Sequence, residues 1–406
     1  MLCYLYQFVF VVLMLFFKSK ERKASGEAAD YHKFGIIITA RDEENVIGCL
    51  LDSVNAQEYP EGLIKVYVVA DNCIDDTAEI ARGKGAVVFE RNDLTKIGKG
   101  YALNFLFDKI REEDNCDAYV IFDADNLVSP DFMTEINKAY CKGFRVVLGY
   151  RNSKNYASNW ISAGYSLWFL RDSEYLNHPR MLMKTSCLVA GTGFLICKSI
   201  IEENNGWHFF SLTEDVEFTA NMIIKGEKIG YCPTAMFYDE QPVEFRQSWV
   251  QRVRWTRGFY QVVWRHGKEL VKGAVIKRNF ACFDMLMSIF PALLVTLLYF
   301  IVTLVRMFMN FAQELTLFAL LYSLLHLVPF LVFGYSLLFV LGLIPTITEW
   351  KNIDATPMQK IFYTFTFPSF ILTFIPIAGV AFFKKVEWEP VKHAINKKIG
   401  DIKKYK

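Results

Sequence analysis

The chain has 406 residues, enough for one large domain plus a membrane region. Hydrophobic residues make up 53% of it, with 36 Phe and 20 Tyr, which argues against a purely water-soluble protein. A net charge of +2 conceals segregation, with acidic residues crowded in the middle and basic runs beside the apolar segments, and no nucleic-acid partner is expected. The nine cysteines stand singly with no CxxC pair, which excludes a disulfide scaffold or zinc site and reads as reduced thiols in a cytosolic domain, Cys73 and Cys197 included.

Residues 2–17 are apolar and uncharged, and Lys18, Lys20, Arg22 and Lys23 follow them. A signal peptide carries its positive charge before the apolar run. This order predicts a membrane anchor over 1–23 with its basic end in the cytoplasm. Short apolar runs at 34–40, 64–70, 86–90 and 117–123 predict strands, and helical spacing predicts helices over 42–56, 75–85 and 99–111, with Asp75 as an N-cap. The alternation predicts an α/β, doubly wound sheet, whose ligands bind beyond the carboxyl ends of the strands. Asp71, Asp123 and Asp125 fall at such ends. No GxGxxG or GxxxxGK[ST] is present, so dinucleotide and ATP readings drop.

Asp123-Ala124-Asp125 offers two carboxylates at a strand end, suited to a hard divalent cation and a diphosphate; a pair of turn-capping aspartates is the plain alternative. Thr213-Glu214-Asp215 opens a helical run, where Thr213 can cap and the acids can meet the helix dipole. The functional reading makes Asp215, with Glu214 beside it, the general base that takes a proton from an attacking hydroxyl. Gln251-Arg252-Val253-Arg254-Trp255 lies in an amphipathic stretch rich in Trp, which suits a helix at the membrane surface. Arg252 or Arg254 can also pair with a diphosphate, and Trp255 can stack on a sugar. Gly191-Thr192-Gly193 reads as a tight turn or a loop that lets backbone approach a ligand.

Further spans are expected at 283–305, 314–344 and 361–383, the last interrupted by Pro368 and Pro376. One anchor and three spans put the C-terminus outside, whereas its basic tail argues for inside. Either 314–344 forms two short helices or 361–383 is re-entrant. The expected organisation is an anchor (1–23), a cytosolic α/β domain (24–240), interfacial helices (241–280), membrane helices (281–385) and a basic tail (386–406).

The ordered DxD, TED and QxxRW upstream of apolar helices resembles family 2 glycosyltransferases, in the membrane-embedded branch with cellulose, hyaluronan, chitin-oligosaccharide and poly-N-acetylglucosamine synthases. The resemblance covers roughly 35–265. It implies a nucleotide-diphospho-sugar transferase (GT-A-like) fold and a multi-pass protein of the cell membrane with a cytosolic catalytic domain. It implies nucleotide-sugar contacts from Thr39, Ala40, Glu43, Asp71, Lys99, Asp123, Asp125, Gln251 and Arg254, with Mg²⁺ or Mn²⁺ on Asp123 and Asp125. Acceptor contacts are implied for Gly191, Thr192, Gly193 and Trp255, and the base role for Asp215. Asp42 departs from the Asn usual in the first loop.

The implied reaction is inverting, processive polymerisation of a β-linked polysaccharide from a UDP-sugar, glucose ahead of N-acetylglucosamine, with the growing chain as acceptor and the bilayer as partner. The rival is transfer of one sugar to a lipid acceptor. A transporter with a regulatory domain would be marked by charges within the spans, where Arg306 and His326 are the candidates. No protein partner is readable.

Overall fold

The computed structural model describes residues 6–21, 30–111, 114–290, 292–314, 317–389 and 393–402. A single eight-stranded sheet organises it: β1 (Phe34–Ala40), β2 (Ile64–Asp71), β3 (Val87–Arg91), β4 (Ala118–Asp123), β5 (Leu127–Val128), β6 (Val146–Ser153), β7 (Phe194–Cys197) and β8 (Ile229–Asp239). The spatial order is β3-β2-β1-β4-β7-β6-β8-β5. β1 is parallel to both β2 and β4, and β2 to β3, as the alternating pattern predicts.

Beyond β4 the sheet departs from the parallel doubly wound pattern of its first four strands. β7 runs antiparallel to β4 and β6, and β5 antiparallel to β8, so the sheet is mixed. After β6 the chain does not cross back over the sheet. It forms the helix Trp160–Arg171, a wide turn of π-helix over Asp172–Asn177 and the helix His178–Leu182. It then re-enters beside the end of β4, where Phe194 pairs with Ile121, and runs down to Cys197 opposite Ala118. Entry at that end dictates the reversed direction.

Strand alternation divides the core. Ile36 and Ile38 pack with Leu50 and Leu51 of the helix Ile47–Asn55 on one face, while Ile37 joins Leu103 and Leu106 of the helix Lys99–Ile110 on the other. All three isoleucines are fully buried, a gain of about 1.5–3 kcal/mol each. The helix predicted over 75–85 spans Thr77–Gly83. Its N-cap is Asp76, but Asp75 still accepts the Thr77 amide at 3.1 Å.

The apolar elements are helices Gln7–Glu21, Phe280–Ile289, Ala292–Glu314, Leu317–Thr348, Pro357–Leu372 and Phe374–Phe383. The stretch 283–305 is therefore divided between two helices. The stretch 314–344 lies mostly in one 32-residue helix, not two short ones. Among the described residues two helical stretches are long and apolar enough to cross a membrane: Leu331–Thr348, within the 32-residue helix, and Pro357–Phe383, which takes in the last two helices. The α/β part meets them closely, since a Cβ on Gly164 would lie 2.4 Å from the Phe370 ring. Eight cysteines among the described residues are free; Cys3 lies outside them.

Gly193 joins the two halves of the sheet. Its amide donates to the Ile121 carbonyl and its carbonyl accepts from Gly149, both at 2.8 Å. Its φ of +67° and the Phe237 ring 2.0 Å from any added Cβ leave no room for a side chain. Gly193→Ala is expected to cost about 2–4 kcal/mol through strain and clash together. A thermal-unfolding midpoint in detergent within a degree of the parent's would refute this.

Candidate active site

The parallel register puts Thr39 opposite Asp123 and Ala40 opposite Ala70, so the ends of β1, β2 and β4 come together. Asp123 pairs with Lys99, at the first turn of the helix Lys99–Ile110. Lys99 Nζ also donates to the Gly191 carbonyl at 2.9 Å. Asp125 is buried and accepts the Glu240 amide at 2.8 Å. Asp71 is buried and takes Arg91 Nη1 at 2.5 Å. Asp42 adopts φ +55°, a left-handed conformation that Asp tolerates as Asn does, so the departure in the first loop keeps its backbone shape.

Glu214 and Asp215 open the helix Glu214–Lys225, with Thr213 at the N-cap. Thr213 makes no capping bond; its buried Oγ1 has no hydrogen-bond partner. Burial pushes the Glu214 carboxyl up to about 7, with the Asp215 charge adding to it, and burial also raises Asp215. The 31-residue helix Phe245–Val275 carries the QxxRW and clamps this loop. Arg254 Nη1 donates to the Leu212 carbonyl at 3.1 Å, and Gln261 accepts the Leu212 amide at 3.0 Å. A Cβ on Gly258 would lie 2.4 Å from Thr213 Oγ1.

Of the two arginines, only Arg254 faces the site. Arg252 is fully buried toward the apolar helices, with Nη1 3.3 Å from the Phe370 carbonyl and its guanidinium 4.5 Å from the Phe370 ring centre. Trp255 meets Tyr165 edge-on at 5.7 Å.

A cavity of about 1570 Å³ gathers these residues. Thr39, Ala40, Glu43, Asp71, Lys99, Asp123, Asp125, Gly191, Glu214, Asp215, Gln251, Arg254 and Trp255 all line it. Thr192 and Gly193 do not. Thr192 is buried behind it, accepting the Asp123 amide at 2.9 Å and donating to Asn126, so it supports the DxD turn. The cavity then continues between the apolar helices, past Met285, Ile289, Leu331, Leu338 and Ile375. Its volume exceeds the roughly 300–1,000 Å³ of an ordinary ligand pocket, so it has room for two substrates.

The tail brings residues that the sequence reading left out. His393 Nδ1 lies 2.9 Å from Glu43, and Arg41 stacks over Trp388 at 5.3 Å. Ala394 and Ile395 donate their amides to Glu240 at 3.0 and 3.1 Å. Burial pushes Glu43 up to about 7 against the pull of His393. Burial pulls the His393 imidazole down, but the charges of Asp125, Glu43 and Glu240 outweigh it and hold it near 10. Lone Trp and His residues in a lysine-rich tail were the only signal. Asp239, pushed up to about 6 by burial with Asp125 adding to the effect, also lines the cavity. The oxygen donors of Asp123 and Asp125 at the cavity wall fit a hard divalent cation, which these two carboxylates would hold.

A mixed sheet with a carboxylate-lined cleft at its strand ends defines a nucleotide-sugar transferase fold of the GT-A type. The family model described as glycosyltransferase like family 2 matches residues 32–258, over half of the chain. The chain belongs to family 2 of the glycosyltransferases, an inverting family, and is an enzyme. It is 28% identical to the probable glycosyltransferase YdaM of Bacillus subtilis, over 62% of this chain and 60% of that one. It is 24% identical to a beta-monoglucosyldiacylglycerol synthase of Synechocystis, over 57% of this chain and 48% of that one. It is also 24% identical to a poly-beta-1,6-N-acetyl-D-glucosamine synthase of Staphylococcus aureus, over 62% and 61%. The chain thus spans about half to three-fifths of the length of these relatives. Its fold is shared with a mannosyltransferase from Pyrobaculum calidifontis solved with GDP-mannose and Mn²⁺, at TM-score 0.52 and 14% identity over 94% of this chain and 97% of that one.

The raised His393 value has a definite sign. Protonated His393, drawn by the charges of Asp125, Glu43 and Glu240 together, adds stability that is lost as pH climbs from about 6.5 toward 10. His393→Ala at pH 7 is therefore expected to speed tryptic cleavage at Lys397 and Lys398 about tenfold. Unchanged cleavage would show that the tail is held without His393, by Glu240, Lys154 and Lys397.

Proposed function

We propose that this enzyme transfers a single hexose, with inversion, from a UDP-sugar to a lipid acceptor held in the membrane. The observation that carries the acceptor class is the continuity of the cavity from Asp215 into space lined by Met285, Ile289, Leu331, Leu338 and Ile375. Acyl chains suit that lining. Sugar hydroxyls against it would lose their hydrogen bonds at a few kcal/mol each. Phe318, Leu325, Phe333, Phe362 and Phe383 are exposed on the helices around it, more apolar surface than a monomer keeps in water. This favours helices from 281–385 in a multi-pass membrane region, with the domain 24–240 in the cytosol.

In this reading Asp71 contacts the uracil and Lys99 the diphosphate. Thr39, Ala40 and Glu43 line the nucleotide side, and Gln251 and Arg254 close on the diphosphate from the interfacial helix. Mg²⁺ or Mn²⁺ held by Asp123 and Asp125 would supply charge stabilisation for the departing diphosphate. Asp215 accepts the proton of the acceptor hydroxyl as its oxygen attacks the anomeric carbon. The bond from that carbon to the β-phosphate oxygen breaks, and UDP leaves with the electron pair. Gly191 leaves space beside the base, because a Cβ there would lie 3.9 Å from Asp215 Oδ2.

Processive synthesis of a β-linked polysaccharide is the second reading. Trp255 on the cavity wall, with Trp168 stacked on Phe374 at 5.6 Å, favours it as a set of platforms for pyranose rings. The discriminating experiment supplies membranes containing the enzyme with labelled UDP-glucose or UDP-N-acetylglucosamine and Mg²⁺ or Mn²⁺, then sizes the product. Label on a solvent-extractable lipid bearing one sugar is expected. A high-molecular-weight polymer cut by a β-glycanase would replace the lipid reading with the synthase reading.

The base assignment predicts a pH profile. A raised carboxyl pKa means the basic form is lost at higher pH than for a free aspartate, so transfer falls on acidification along a limb displaced upward from 3.8. Asp215→Asn is expected to lower kcat about 10²–10⁴-fold while UDP binding stays unchanged. Near-parent turnover would remove Asp215 from the role.

A further inference from the structure

We propose that Asp239 and Gln241, at the end of β8, grip two neighbouring hydroxyls of the donor sugar and set which sugar is transferred. The inference rests on the glycosyl-transfer reading of the cavity and adds the part of it that the DxD, TED and QxxRW do not explain.

Position is the first argument. The Glu240 amide is bound by Asp125 Oδ2 at 2.8 Å, so this segment starts beside the metal-binding carboxylates. Asp239 Oδ2 accepts Arg151 Nε at 2.6 Å, and Arg151 Nη1 donates to the Ala190 carbonyl at 2.8 Å. Ala190 precedes Gly191, which receives Lys99 on its carbonyl and abuts Asp215. Asp239 is therefore linked through Arg151 to the Ala190–Gly191 turn that abuts Asp215, and through Glu240 to Asp125 of the DxD. In-line attack on the anomeric carbon puts the transferred sugar between the DxD and Asp215, within the stretch of cavity that Asp239 and Gln241 also line.

Unspent hydrogen-bonding capacity is the second. Asp239 is 2% exposed and Gln241 3%, and both line the cavity. Asp239 Oδ1 and Gln241 Nε2 have no hydrogen-bond partner. The Gln241 amide lies near enough to the Asp239 carboxyl to lower its proton affinity, while neither atom makes a hydrogen bond of ordinary length and angle, so the two sit side by side in a loose contact that a pair of hydroxyls can replace. A buried polar atom left in this state costs about 1–3 kcal/mol, and folds keep few of them without a use.

The third argument is rigidity. Asn155 holds Gln241 at both backbone groups, accepting its amide and donating to its carbonyl at 2.8 Å each. Glu240 is pinned by Lys154 at 2.9 Å and by the tail amides. Arg151, which orients Asp239, is itself seated 3.5 Å over the Phe169 ring. One acceptor and one donor are thus fixed side by side, which matches adjacent hydroxyls: one donates to the carboxylate and the other accepts from the amide. A site built this way rejects a donor lacking the hydroxyl far more strongly than an apolar pocket rejects a missing methylene.

The test measures kcat/KM for the parent, Gln241→Leu and Asp239→Asn with UDP-glucose, UDP-galactose, UDP-N-acetylglucosamine and the 3- and 4-deoxy forms of each. UDP binding is measured alongside as a control for folding. Gln241→Leu is expected to lower kcat/KM for the preferred donor about 10–100-fold and for one deoxy form by less than about threefold, so that selectivity collapses at one hydroxyl. Equal losses on all donors, with UDP binding retained, would overturn the inference. So would a rise in the Mn²⁺ concentration needed by Asp239→Asn without a change in donor selectivity, which would assign Asp239 to the cation. A parent enzyme inert with every UDP-sugar would overturn the transfer reading and this inference with it.

Discussion

Carboxylates crowd the head of the sheet, and the rest of the structure is arranged around neutralising them. Parallel strand ends deliver Asp71, Asp123 and Asp125; β8 delivers Asp239, and the first turn of the helix Glu214–Lys225 delivers Glu214 and Asp215. An uncompensated buried charge costs several kcal/mol. The cationic partners come from separate elements: Arg91 from β3, Lys99 from a helix, Arg151 from β6 and His393 from the tail. Charge balance at one point therefore binds segments up to 350 residues apart. Burial, with neighbouring carboxylate charge adding to it, raises the proton affinity of Glu43, Glu214 and Asp239 within this cluster.

The helix Phe245–Val275 ties this electrostatic site to the apolar helices. Arg252 and Arg254 stand two residues apart, about 200° around a helix, so they face opposite sides. Arg254 meets the loop of Leu212 to Asp215, and Arg252 enters the apolar helices at Phe370. Gly258 lets the helix lie directly on Thr213, and Arg265 pairs with Glu217 at 2.7 Å. One rigid rod thus fixes the distance between the TED and the apolar end of the cavity.

Local signals in the sequence carried the first half of the fold. The four parallel strands and the three helices between them follow from apolar runs and 3.6-residue spacing, with ends shifted by a few residues. The mixed half was not legible, because β7 takes its direction from where the chain re-enters, and periodicity does not encode that. The site divided in the same way. DxD, TED and QxxRW are short motifs at element ends, and all three line one cavity. Thr192 and Gly193 sit next to Gly191 in sequence but turn away from the cavity, since a left-handed glycine on either side of Thr192 redirects the chain. His393, Asp239 and Gln241 act through tertiary neighbours, and nothing in their local sequence announces this.

The two ends of the cavity impose different demands on the two substrates. Transfer to an acceptor in place of water requires that water be kept from the anomeric carbon. At the polar mouth, Trp388 over Arg41 and His393 on Glu43 cover the nucleotide side. At the far end, aliphatic side chains from Met285 to Ile375 form a wall that offers water few hydrogen bonds. Under the proposed function, a charged and hydrated donor would arrive under the tail, and an acceptor with a long apolar part from between the helices. The hydroxyl of that acceptor would be the one polar group able to reach Asp215 from the membrane side. On this account selectivity for the acceptor comes mainly from the lining of the entrance, while selectivity for the sugar is left to the few fixed polar groups beside the DxD.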